Sequence, residues 1–320
     1  MGKTAQATTT RLATARARVL EQPGRSAVQQ LRVYQSMWAM ERRRPDGVEW
    51  SLQEKLDLII GAGFDGVGLR FTDRAFVAAV TQRLREAGLT WQAQCYPRTV
   101  DGLVPVLDLV AEFGCDHINL QADVRPHTVA ECVPLIEGWQ RLAADAGVTL
   151  NLETHRDRMT TDLLFTLRLL DRFPELRLTG DLSHYLVARE FAWPVSDENH
   201  ALMHRVMDHC WAYHGRVASR EQIQVPLSFE HLRHWLDLFM DWWAYGFRSW
   251  RRRAGPKTTL SFLCELGPPE YAITGADGYE LSDRWQEAQM LMRLVRGLWH
   301  RIEDEDAAAS AQGAAAATSQ

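Results

Sequence analysis

Two rhythms alternate along the chain. Short runs dense in β-branched, aromatic and leucine side chains give way to longer stretches in which apolar residues return every three or four positions. The short runs are VYQSMW (33–38), GVGLRF (66–71), WQAQCY (91–96), HINLQA (117–122), TLNLETH (149–155), RLTGDLSH (177–184), CWAYHGRV (210–217) and TLSFLCELG (259–267). Each predicts a strand. The stretches between them predict amphipathic helices. Their stripes include Leu52, Leu56, Ile59 and Ile60 after the first run, and Leu163, Leu164, Leu167 and Leu170 after the fifth. Leu232, Trp235, Leu236, Phe239 and Trp243 follow the seventh, and Trp285, Ala288, Met292, Val295 and Trp299 the last. Ala62-Gly63, Ala87-Gly88, Phe113-Gly114 and Ala146-Gly147 place glycine where a helix ends, which suggests one repeated βα unit.

Eight such units in series match a (β/α)8 TIM barrel, whose usual length is about 250 residues. A doubly wound open sheet normally follows its first strand with a Gly-rich phosphate loop, and MWAMERRRPDG contains none. The predicted architecture is therefore α/β, a single-domain TIM barrel over residues 30–303. Residues 1–29 form an N-terminal extension, and the Ala-rich residues 304–320, with almost nothing to bury, are expected to be a disordered tail.

Composition narrows the function classes. At 320 residues, 46% hydrophobic and 24% charged, the chain can bury a large core. Its formal net charge of −5 offers no uniform field for a polyanion, so no nucleic acid partner is expected. The strongest basic patch, FRSWRRR (247–253), ends a Trp-rich helix, where arginines complement the helix dipole. Cys95, Cys115, Cys132, Cys210 and Cys264 are odd in number and lack a C-x-x-C pair, which points to buried thiols in a reducing, cytoplasmic setting. No apolar run approaches the roughly 18 residues that cross a bilayer, so no membrane is expected. The aromatic stripe of HWLDLFMDWWAYGFRSW (234–250) reads as core or as the surface of a homo-oligomer. His200, His204, His209, His231 and His234 read as surface or capping residues, since no H-E-x-x-H pattern accompanies them.

The C-terminal ends of barrel strands form the working face of this fold. Here the fifth run ends in Glu153 and His155, the sixth in Asp181 and His184, the seventh in His214 and Arg216, and the eighth in Glu265. Alternation along a strand keeps Asn151, Glu153 and His155 on one face, and likewise His214 with Arg216, so the polar groups gather inside the barrel mouth. Carboxylates crowded in a ring repel one another, and a divalent cation removes that cost. Glu153, Asp181, His214 and Glu265 make an oxygen-rich ligand set suited to one divalent metal ion, Mn²⁺ first, with Mg²⁺, Co²⁺ or Zn²⁺ compatible.

The order NLETH, GDLSH, YHGRV and CELGPPEY resembles the xylose isomerase-like TIM barrel superfamily, in its sugar phosphate isomerase/epimerase branch. The resemblance covers nearly the whole barrel and is most specific over 149–272. It implies the same four metal ligands and gives His184 and Arg216 substrate oxygens to hold. His155 joins them as a substrate-binding or ligand-orienting side chain, and Glu270 and Tyr271 stand near the mouth.

The function so implied is isomerisation or epimerisation of a sugar or polyol by proton abstraction next to a carbonyl, through a metal-stabilised enediolate. Glu153 and Glu265 are the catalytic pair. Ketose 3-epimerases carry another acid six residues past the first ligand, where this chain has Met159. That departure keeps a second enzyme reading, a metal-dependent dehydratase or lyase acting on an inosose or oxidised glycoside. Nucleases of the endonuclease IV type need more strand-end histidines than this chain supplies. A barrel without activity, used as a binding protein, is the alternative of another class.

Overall fold

The computed structural model describes residues 29–44 and 46–318, with side chains as far as residue 312. The expected N-terminal extension, up to residue 28, lies outside the described residues. All eight predicted strands form: β1 Gln30–Ser36, β2 Gly66–Arg70, β3 Thr90–Cys95, β4 Ile118–Leu120, β5 Leu150–Glu153, β6 Leu178–Asp181, β7 Cys210–Gly215 and β8 Thr259–Cys264. They pair in parallel in chain order, and β1 pairs with β8 from Gln30↔Thr259 to Gln35↔Cys264, so the sheet closes into a barrel. The main helices after these strands are α1 Leu52–Ala62, α2 Arg74–Glu86, α3 Val104–Phe113, α4 Val129–Ala146, α5 Leu163–Arg172, α6 Ser183–Ala188, α7 Asp197–Met207, α8 Arg233–Arg253 and α9 Arg284–Thr318. The fold is a single-domain (β/α)8 TIM barrel.

Local chemistry explains the element ends. Ser51 caps α1 with its hydroxyl on the Glu54 N–H, while the Glu54 carboxylate accepts from the Ser51 N–H at 2.7 Å. Gly63 and Gly147 close α1 and α4 at φ 82° and 68°, the left-handed conformation that favours glycine. Several strands end earlier than the sequence pattern suggests, β7 at Gly215 and β8 at Cys264 among them, so that Arg216 and Glu265 lie just past their strands. β5 stops at Glu153, which puts His155 in the following loop, and β6 stops at Asp181, so His184 sits in the first turn of α6. The tail differs too. Instead of becoming disordered at 304, the chain continues α9 to Thr318, exposed from 304 to 312. Alanine is the best helix former, so helix persists there without a buried face.

The two faces of the barrel wall carry opposite chemistry. Gln92 of β3 lies 3.4 Å from His214 of β7, strands four apart in the ring, so these side chains meet through the interior. By parity Gln92, Gln94, Asn119, Asn151, Glu153, Thr179 and Asp181 also point inward, and all are buried. The outward face carries Val67, Trp91, Ala93, Ile118, Leu152 and Phe262, buried under the helices. On α8, Trp235, Trp242, Trp243 and Trp250 are buried, and Trp243 meets Phe262 edge-on at 5.0 Å, so the aromatic stripe is core. Arg284, 2% exposed at the start of α9, donates to the carbonyls of Ala39, Glu41, Arg42 and Leu266. It thereby ties the loop after β1 to the loop after β8, on the side of the barrel where the polar residues collect.

Candidate metal centre

Four side chains converge at the C-terminal end of the barrel. Glu153, Asp181, His214 and Glu265 are all buried, and each turns one ligand atom toward the others so that the four atoms lie within 4.8 Å of one another. His214 Nδ1 is 3.2 Å from Glu265 Oε2 and 3.7 Å from Glu153 Oε1. Arg216, just past β7, places Nη2 2.7 Å from Glu265 Oε2 and 3.6 Å from Asp181 Oδ2. His184 Nε2 stands 3.3 Å from Asp181 Oδ2. His155 packs its ring against that of His184, centroids 3.9 Å apart, and Glu153, His155 and His184 form a second group of the same compactness. Of the two mouth residues after Glu265, Tyr271 lies against the Arg216 guanidinium at 4.7 Å, whereas Glu270 points away, its side chain 94% exposed and 3.6 Å from Arg42. Met159 is fully buried.

Polar neighbours orient the four, and several of them escaped the sequence reading. Asn119 and Gln121 donate to the two oxygens of Glu153 at 2.5 and 3.0 Å. Ser183 donates to Asp181 Oδ1 from both its N–H and its hydroxyl. Gln92 places its amide nitrogen 3.4 Å from His214 Nε2, while the other ring nitrogen, Nδ1, faces Glu265 and Glu153. The signal for these amides was the alternation in WQAQ and HINLQ, which puts polar side chains on one face of otherwise apolar strands.

Burial raises Glu153 to about 7, with Glu265 and Asp181 adding to the rise and His214 opposing it. Burial works the same way on Glu265, but His214 and Arg216 outweigh it and hold that carboxyl at about 2. In Asp181 too, His184 and Arg216 overcome burial and keep the group well below the usual carboxylate range. His214 is raised to about 9, since Glu265 and Glu153 overcome its desolvation. Burial lowers His184 and takes His155 to about 3, each away from charge.

The donor set fits a divalent cation. Three buried carboxylates surround one imidazole, and Asp181 Oδ2 has no hydrogen bond although it is fully buried. A hard oxygen-rich set of this kind suits Mg²⁺ or Mn²⁺.

Comparison with solved structures finds the same fold. A xylose isomerase-like TIM barrel protein from Mycobacterium smegmatis, solved in complex with magnesium, aligns over 83% of this chain and 97% of its own, with a TM-score of 0.54 and 15% identity. D-psicose 3-epimerase solved with D-fructose aligns over 83% and 99%, with a TM-score of 0.53 and 12% identity. The 3-keto-D-glucoside 4-epimerase of E. coli aligns over 84% and 100%, with a TM-score of 0.51 and 15% identity. No family model matches the chain, and no curated protein matches it by sequence. The chain has the fold of the xylose isomerase-like TIM barrel proteins.

Proposed function

We propose that the protein is a divalent-metal-dependent isomerase or epimerase acting on a sugar or polyol derivative. The observation that carries this reading is the convergence of Glu153, Asp181, His214 and Glu265 within 4.8 Å at the barrel mouth. These four side chains would hold the ion, which when bound supplies positive charge against the negative charge that develops on substrate oxygens as a neighbouring carbon loses its proton.

The protein's own groups supply the rest. Glu153 and Glu265 reach the centre from β5 and from the end of β8, three strands apart in the ring, so they approach a bound substrate from different directions. One takes a proton from carbon and the other returns one, which changes the configuration or the position of the carbonyl. Arg216 and His184 are buried donors that hold substrate oxygens, and His155 supports His184 through their ring contact. The Asn119 and Gln121 amides keep Glu153 in one orientation.

The test is a screen of keto sugars and inososes with Mn²⁺-loaded protein in deuterated water, followed by NMR. An epimerised or isomerised product carrying deuterium at the reacting carbon is expected. Glu153→Gln should keep the fold and lower turnover by about 100-fold or more. An unsaturated product would instead establish the dehydratase reading, for which Met159 in place of an acid is the favouring observation. A probable 3-DHS dehydratase from Bacillus anthracis has the same fold, with a TM-score of 0.50. Failure to take up any divalent metal would sink both readings and leave a binding protein.

A further inference from the structure

Among the described residues, two arginines at the rim of the mouth have no acid partner. Arg70 ends β2, is exposed, and stands 5.8 Å from the ring centre of Tyr96. Arg70 shares a cavity wall with Trp38, whose ring lies 5.7 Å from the Arg216 guanidinium, which places Arg70 at the same mouth. Arg156, in the loop after β5, lies 5.5 Å from the ring of Tyr271, whose other neighbours are Arg216 at 4.7 Å and Trp38, edge-on at 5.1 Å. Neighbouring arginines are paired: Arg98 with Asp123, and Arg125 and Arg158 with Asp123 and Asp157. Arg70 and Arg156 make no ion pair among the described residues. Beside Arg70 the cavity wall also holds Glu41, which offsets one of the two guanidinium charges, and Lys55, which is paired with Glu49 at 2.8 Å.

With a divalent ion and Arg216 set against three carboxylates, the inner site is electrically balanced. The two rim guanidiniums then leave the mouth positive. A neutral polyol makes no use of that surplus, whereas a carboxylate or phosphate matches a guanidinium with paired, charge-assisted hydrogen bonds. Tyr271, held between Arg156 and Arg216, gives Arg156 a cation–π seat that keeps it directed over the opening. Resting on the reading of this mouth as a metal-dependent sugar or polyol site, we propose that its substrate carries a carboxylate or phosphate, received at the rim by Arg156 with Arg70 adding positive field from the β2 side.

The experiment compares three probes on the Mn²⁺-loaded protein by calorimetry: D-glucitol, D-gluconate and D-glucitol 6-phosphate. Uptake of Mn²⁺ is measured first, because its absence would overturn the proposed function, whereas Mn²⁺-loaded protein without anion preference overturns this inference alone. At least one anionic probe is expected to bind about tenfold or more tightly than glucitol, with an advantage that shrinks as salt is raised. In Arg70→Ala/Arg156→Ala, which breaks no ion pair, the advantage should vanish while Mn²⁺ uptake and the melting temperature stay near wild type. If the double variant is unstable, Arg70→Gln/Arg156→Gln serves in its place. Failure of both anions to exceed glucitol tenfold overturns the inference. So does a preference that survives in the double variant, which would place the anion on the metal. The salt series and the difference between gluconate and the phosphate separate carboxylate from phosphate as the group received.

Discussion

Asp181 divides its two oxygens between structure and chemistry. Ser183 donates twice to Oδ1, fixing the rotamer, and leaves Oδ2 without a hydrogen bond at the centre of the cluster. Asp181→Ala is therefore expected to weaken Mn²⁺ binding by more than about 100-fold, and Ser183→Ala, which frees the rotamer, by about tenfold. Elemental analysis and Mn²⁺ titration of both variants check this; wild-type affinity in Asp181→Ala would remove Asp181 from the ligand set. At this scale the acids were legible in the sequence because a charged residue that ends an apolar run has few structural explanations. The amides of Gln92, Asn119 and Gln121 were not, since an amide on a strand reads as neutral until its facing is known. Arg70 and Arg156 escaped for another reason: only the folded chain shows which arginines lack a partner.

The elements meet through contacts that a sequence pattern does not display. Gly246 lies in the middle of α8, where propensity alone would favour alanine by about 1 kcal/mol. A Cβ at that position would fall 2.0 Å from Tyr213 Oη and 2.7 Å from Tyr213 Cζ. Tyr213 is fully buried on β7 and has no room to retreat. Gly246→Ala is thus expected to destabilise the protein by about 1–2 kcal/mol despite the helix gain, read as a lower urea midpoint. A midpoint at or above wild type would show that α8 can shift outward. Element type and order were legible because period 2 and period 3.6 alternate so regularly along this chain. The ends of β5 and β6 were less so. TLNLETH and RLTGDLSH continue the strand pattern, but Thr160 accepts from the His155 N–H and Ser183 engages Asp181, and these side-chain bonds turn the backbone away.

Across the whole molecule the barrel interior is polar where such barrels are usually filled by branched aliphatic side chains. Ser36 Oγ, Gln92 Oε1, His117 Nε2, Asn119 Oδ1, Asn151 Oδ1, Thr179 Oγ1 and Ser261 Oγ are buried without a hydrogen-bond partner. Stability therefore rests on the layer between strands and helices, and the interior serves the mouth above it. His117 shows the consequence. Burial lowers it to about 4, against 6.5 in an exposed setting, with Asp116 raising it and His214 lowering it further. Because the folded value is depressed, the folded protein keeps His117 neutral while the unfolded chain takes up its proton. Stability is thus full above about pH 6.5 and falls as pH drops toward 4. One proton over the part of that window between pH 6.5 and 5 corresponds to about 2 kcal/mol. His117→Gln removes this term, so urea unfolding at pH 7 and pH 5 should show a smaller acid loss in the variant than in wild type by roughly that amount. Equal losses in the two proteins would mean that His117 is hydrated or paired in solution, and that the interior is open to water from below.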